Sequence, residues 1–161
     1  MARNQFEKYI EILKKLHDAQ IEYVLIGGVA IILYGFERLT RDIDLFIKMV
    51  PENIAKLRNV LYDLFQDESI EEITFEELAD YSVIRYGTPD GFYIDIIANI
   101  GEAFQFSDLE YEIVEYGDFE IKVASPETLF KLKKDTLREK DQIDLYFLRD
   151  LISRKNKDAG I

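Results

Sequence analysis

Asp42 and Asp44 stand two apart in the run Asp42-Ile43-Asp44-Leu45-Phe46-Ile47, and a third carboxylate, Asp95, sits inside Tyr93-Ile94-Asp95-Ile96-Ile97. Alternation along a β-strand sends residues i and i+2 to the same face. Asp42 and Asp44 therefore share one side, and Ile43 and Leu45 turn to the other. If the Asp95 strand lies beside the first, three carboxylates converge. Carboxylates brought together repel one another, and a divalent cation removes that penalty. Mg²⁺ suits such a site because it takes a few carboxylates and completes its shell with water and substrate phosphates; Mn²⁺ is the alternative ion. Upstream, Gly27-Gly28 follows the apolar run Tyr23 to Ile26 and opens an apolar stretch of helical character. Glycines there let backbone N–H groups approach a phosphate closely, and the start of a helix favours an anion. Arg38, Thr40 and Arg41 lie just before Asp42, where a guanidinium or hydroxyl could steady phosphate oxygens. A phosphate cradle beside metal-holding aspartates is the equipment of nucleotidyl transfer, which depends on positioning and charge neutralisation more than on covalent help.

A later segment adds basic groups. Pro126 to Lys133 leads into Arg138, Lys140, Asp141 and Asp144. If one continuous helix carries them, Lys133, Lys140, Asp141 and Asp144 share a face, and Leu129, Leu132, Ile143 and Phe147 turn to the core. Lys133 is then the candidate phosphate contact outside the sheet, with Asp141 and Asp144 orienting the basic groups.

Gly27-Gly28, thirteen intervening residues, Asp42-Ile43-Asp44 and the later Asp95 together resemble the DNA polymerase β-like nucleotidyltransferase superfamily. Arg38-Leu39-Thr40-Arg41 before the triplet is similar to the Arg-x-Thr-x-Asp form of small bacterial and archaeal members, toxin-type ones included. The Lys133 to Asp144 run resembles the Lys…Arg-x-Lys-Asp-x-x-Asp run of many small members. The resemblance spans Glu22 to about Leu151. It implies an α+β (mixed α/β) domain of the polymerase-palm type, with a central mixed sheet flanked by helices. It also implies transfer of an NMP from an NTP to an acceptor hydroxyl, with release of pyrophosphate. On that basis Asp42 and Asp44 hold metal and nucleotide, and Asp95 holds the catalytic metal or helps deprotonate the acceptor. Two metals can clamp the attacking and leaving oxygens. The acceptor is open among a protein side chain, a tRNA 3′ end and a small molecule. Many relatives carry a large extra helical domain that this sequence lacks, so a homodimer or a helical partner protein is expected to complete the site.

Composition narrows the alternatives. The 161 residues suit one domain, with a tail from about residue 154 expected to fray, and 48% hydrophobic residues supply a sizeable core. Absence of cysteine excludes disulfides, thiolate sites and cysteine nucleophiles, and a lone His17 excludes a multi-histidine zinc site within one chain. A net charge of −12 disfavours an extended nucleic-acid surface. No run is long enough to span a bilayer, and the amphipathic, acid-bearing N-terminus is not a signal peptide; a cytoplasmic protein is expected. High Lys and Glu content without Cys hints at a thermophilic source.

The elements that must position these residues are legible as patterns. Arg3 to Ala19 has the spacing of an amphipathic helix. Glu22 to Ile26 is a strand, Val29 to Tyr34 a helix closed by Gly35, and Asp42 to Lys48 a strand. Pro51 opens a helix with a stripe of Ile54, Leu57, Leu61, Leu64 and Phe65. Asp67 to Glu72 is acidic and loop-like. Thr74-Phe75-Glu76-Glu77 has the form of a capping box. Tyr81 to Tyr86 and Gly91 to Ala98 form one expected hairpin, and Tyr111 to Tyr116 and Phe119 to Ala124 another around Gly117-Asp118. Ser125-Pro126 starts a final helical region that runs to Ser153 or breaks once.

Each feature has a plainer reading. A glycine pair after a strand is commonly a tight turn, and Asp-Ile-Asp a solvated strand start. Arg41 fits a simple ion pair with an acidic neighbour, and the Lys133 to Asp144 run a salt-bridged helix face. Two other functions fit the motifs: a toxin–antitoxin-type interaction protein that works only with its partner, and a non-catalytic nucleotide-binding domain.

Overall fold

The computed structural model describes residues 2–100, 104–134 and 139–158, with side chains from residue 5 to 134 in the first two spans and from 141 in the last. The first helix, α1 (Ala2–Asp18), leads to β1 (Tyr23–Ile26) and α2 (Gly27–Leu33). Then follow β2 (Asp42–Ile47), α3 (Pro51–Phe65), α4 (Phe75–Tyr81), β3 (Val83–Gly87) and β4 (Tyr93–Ile97). The short pair β5 (Asn99–Ile100) and β6 (Phe104–Gln105) precedes β7 (Tyr111–Tyr116), β8 (Phe119–Ala124), α5 (Pro126–Lys133) and α6 (Glu139–Asp158). The main sheet has six strands in the order β3-β4-β2-β1-β8-β7. It is mixed: β2 runs parallel to β4 and β1 to β8, and the other neighbours are antiparallel. This is the α+β, palm-like architecture expected.

Register matters more than strand order for the site. Asp44 lies opposite Asp95 across the β2–β4 pair. Arg85 lies opposite Asp95 on the other side of β4, and Ile26 opposite Asp44 on β1. One row therefore crosses four strands as Arg85, Asp95, Asp44, Ile26. The other face of β2 and β4 carries Ile43, Leu45, Ile94 and Ile96, all fully buried. Farther along the strands, the face that bears the aspartates is covered as well, with Phe46 and Ile97 buried. The carboxylates thus sit toward the N-terminal ends of two strands whose later residues are buried.

Local chemistry explains the boundaries. Ser125 caps α5 by accepting from the Thr128 N–H at 3.1 Å, and Thr74 caps α4 by accepting from the Glu77 N–H at 3.1 Å. Buried Asn53 on α3 accepts from the Glu22 N–H at 2.9 Å and donates to the Glu22 and Lys48 carbonyls, joining the ends of β1 and β2. The β7–β8 hairpin turns through Gly117-Asp118 as expected, with Gly117 at φ 59°.

Three expectations need correction. Residues 68–72 are a short 3₁₀ helix rather than a loop, started by Asp67 accepting from the Ser69 N–H at 3.0 Å. Tyr81 ends α4 instead of starting a strand, because the chain turns through Ser82 in the left-handed region. Of the two forms expected for the last helical region, the described residues take the broken one, so Asp141 and Asp144 reach Lys133 across a helix–helix contact and not along one helix face. The break also re-phases α6: Ile143 is 51% exposed, and Leu145 and Leu148 supply the buried positions in its place. At the C-terminal end α6 is described as far as Asp158, and residues 159–161 lie outside the described residues.

Candidate active site

Eight of the residues singled out by type and spacing line one cleft: Gly27, Gly28, Arg38, Thr40, Asp42, Asp44, Asp95 and Lys133. A ninth, Arg85, joins them. Asp42, Asp44 and Asp95 each present one oxygen such that the three lie within 4.8 Å of one another. That spacing suits a cation coordinated by all three. Electrostatics agree. Burial, then the Asp42 charge, then Asp95 push the Asp44 carboxyl up to about 8. A site that forces a carboxylate to keep its proton at neutral pH is short of positive charge.

Thr40 holds Asp42 in place. Its hydroxyl donates to Asp42 Oδ1 at 2.9 Å, and its own carbonyl accepts from the Tyr9 hydroxyl of α1 at 3.1 Å and from the Gln5 side chain. Tyr9 is buried, and burial raises its hydroxyl to about 12, so it remains a donor.

The glycine pair has a steric role that its turn propensity alone does not reveal. Gly27 has φ 74°, in the region L-residues avoid, and a Cβ there would collide with the Asp44 carboxylate, 2.8 Å from its Cγ. A Cβ on Gly28 would stand 3.1 Å from Thr40 Oγ1 and 3.4 Å from Arg38 Cζ. The pair lets three polar side chains crowd against the backbone at the end of β1.

Lys133 Nζ pairs with Asp141 at 2.6 Å and with Asp144 at 3.2 Å, and Arg38 pairs with Asp144 at 2.5 Å. Asp141 and Asp144 are 0% and 1% exposed. Buried carboxylates of this kind require partners, and both cations they hold face the cleft. Arg41 is exposed and does not line it. Arg138 and the Lys140 side chain lie outside the described residues.

Arg85 was not among the residues singled out from sequence. Its guanidinium donates from Nε to Asp95 Oδ1 at 2.9 Å, and from Nη2 to Asp95 Oδ2 and Asp42 Oδ2, both at 3.0 Å. It also lies 4.7 Å from the Tyr93 ring centroid. The signal was the hairpin register: a five-residue loop centred on Asp90 places Arg85 opposite Asp95.

A family described as nucleotidyl transferase of unknown function (DUF2204) matches residues 5–159. No curated protein matches the chain. Among solved structures the chain is similar to an antigenic nucleotidyltransferase-like protein from Paracoccidioides brasiliensis, at TM-score 0.60 and 17% identity over 94% of this chain and 78% of that one. It is similar to ANT(2")-Ia in complex with adenylyl-2"-tobramycin, at 0.58 and 15% over 97% and 94%. It is also similar to the lincosamide antibiotic adenylyltransferase LnuA, lincomycin-bound, at 0.56 and 18% over 89% and 95%. At these identities the structural likeness establishes the fold.

Proposed function

The chain belongs to the nucleotidyl transferase family of unknown function (DUF2204), and from that premise we propose that it moves an NMP from an NTP to an acceptor hydroxyl with a divalent cation, Mg²⁺ or Mn²⁺, at the three aspartates. One observation carries this reading. Three carboxylates converge in a cleft that Arg38 and Lys133 also line.

The roles divide accordingly. Asp42, Asp44 and Asp95 hold the cation, which when bound neutralises charge on the phosphates and polarises the reacting oxygens. Arg38 and Lys133 bind the triphosphate, each oriented by Asp144, with Asp141 also on Lys133. Gly27-Gly28 contributes backbone without side chains, so that a phosphate can come close. Asp95 accepts the acceptor's proton as its oxygen bonds to the α-phosphorus and the bond to the β-phosphate oxygen breaks. Pyrophosphate leaves with the β- and γ-phosphates.

A small hydroxylic molecule is the acceptor class best supported. Two similar structures are described with tobramycin or lincomycin, and this chain covers 94–95% of their length. The net charge of −12 opposes a polyanionic acceptor.

The test is pyrophosphate release from each NTP with Mg²⁺, in the presence of aminoglycosides, lincosamides and simpler polyols. Wild-type protein should release pyrophosphate with at least one pair, and Asp95→Asn should lose about a hundredfold or more of that rate. Equal rates from wild type and Asp95→Asn would remove Asp95 from the chemistry.

A further inference from the structure

Arg85 is positioned oddly for a residue that only supports substrate. It takes both oxygens of Asp95 and one of Asp42, two of the three carboxylates that would ligate a cation. A guanidinium placed there supplies the positive charge the cluster lacks. It also repels an incoming dication and engages the oxygens that dication needs.

The contact is built to open. The Arg85 side chain is 54% exposed, on the edge strand β3. The Tyr93 ring lies on the same sheet face as Asp95, two residues before it, with its centroid 4.7 Å from the guanidinium carbon. A guanidinium that releases the carboxylates keeps a cation–π partner beside the site. By contrast Arg38, held by fully buried Asp144, has no comparable freedom.

We propose, resting on the reading that the three aspartates hold a divalent cation, that Arg85 is the site's resident counter-cation: it occupies Asp95 and Asp42 until metal displaces it, and so sets the metal concentration at which the site loads. The opposite arrangement is a guanidinium that stays on Asp95 and orients it for the metal, as outer hydrogen bonds do in many metal sites. The two differ in sign. Displacement means that removing Arg85 tightens metal binding; support means that removing it weakens binding.

The experiment is a calorimetric titration of the full chain with Mn²⁺ and no nucleotide, for wild type, Arg85→Met, Arg85→Lys and Asp44→Asn. Arg85→Met should bind Mn²⁺ about tenfold tighter than wild type, the loss of competing charge-assisted hydrogen bonds being worth that much. Arg85→Lys, which keeps a charge but not the two-pronged fork, should fall between them, and it carries the test if Arg85→Met does not fold. Equal or weaker binding by the Arg85 variants, with a site that Asp44→Asn abolishes, would overturn the proposal and leave the metal reading standing. Absence of any Asp44-dependent Mn²⁺ binding in all of the proteins would overturn the metal reading and this proposal with it.

Discussion

Asp44 is where the tension of the site is concentrated, and its titration has a definite sign. Its ordinary value of 3.8 rises to about 8 in the folded protein, mainly through burial and the neighbouring Asp42 and Asp95 charges. Between those values the folded protein holds a proton that the unfolded chain releases, so stability falls as pH rises across that window. In EDTA the wild type should melt lower at pH 8 than at pH 5, and Asp44→Asn should lose most of that difference. Thermal unfolding at the two pH values checks both. A cation must displace the same proton, so Mg²⁺ affinity should increase from pH 6 to pH 8. Gly27 faces the same carboxylate from the backbone side. Gly27→Ala combines a positive φ with a collision at Asp44, and should cost about 2 kcal/mol or more in chemical denaturation. Substitution at Gly35, where φ is 110° but no atom lies within 4 Å of the added Cβ, carries the backbone strain alone and should cost less.

At the scale of elements, α1 and the α5–α6 pair act as braces for the cleft. The Tyr9 hydroxyl donates to the Thr40 carbonyl, and Thr40 donates to Asp42. Tyr9→Phe should cost about 1 kcal/mol of stability and weaken metal binding slightly, as measured by urea unfolding and by Mg²⁺ titration. Asp144 anchors both Arg38 and Lys133 from inside α6. Asp144→Asn removes one partner of a buried ion cluster and should cost about 3 kcal/mol, with NTP affinity falling while Mn²⁺ affinity at the aspartates is retained. Hydrophobic period and capping residues made most of these elements legible in the sequence. The Ser125-Pro126 start, the Thr74 cap and the Gly117-Asp118 hairpin rest on one or two residues each, and those residues dictate local backbone directly. Tertiary geometry was less legible. The sequence leaves open one helix or two after Ser125-Pro126, and nothing local announces that facing residues of α5 and α6 bring Lys133 to Asp141 and Asp144. Arg85 is hidden in the sequence for the same reason, since its partners come from strand register and not from spacing along one strand.

At the scale of the whole molecule, the sheet order brings together groups that lie far apart in the chain. β2 and β4 are parallel neighbours although α3, α4 and β3 intervene, and that pairing alone places Asp95 beside Asp44. The Asp-x-Asp motif and the lone aspartate could be read from sequence as members of one site only through a resemblance to a known architecture; their juxtaposition is a property of the fold. No described helix is long and apolar enough to cross a membrane. On the proposed function, this cleft binds a nucleoside triphosphate through a cation at the three aspartates. Thermal unfolding of wild type and Asp44→Asn with each of the four NTPs, with and without Mg²⁺, tests it most directly. A ligand at a hundred times its Kd stabilises by about 2.7 kcal/mol, or about 5 °C or more for a chain of this size. Such a shift is expected in wild type, with at least one NTP, only when Mg²⁺ is present, and not in Asp44→Asn. A shift of equal size in the variant, or none with any NTP in well-folded wild type, would contradict it.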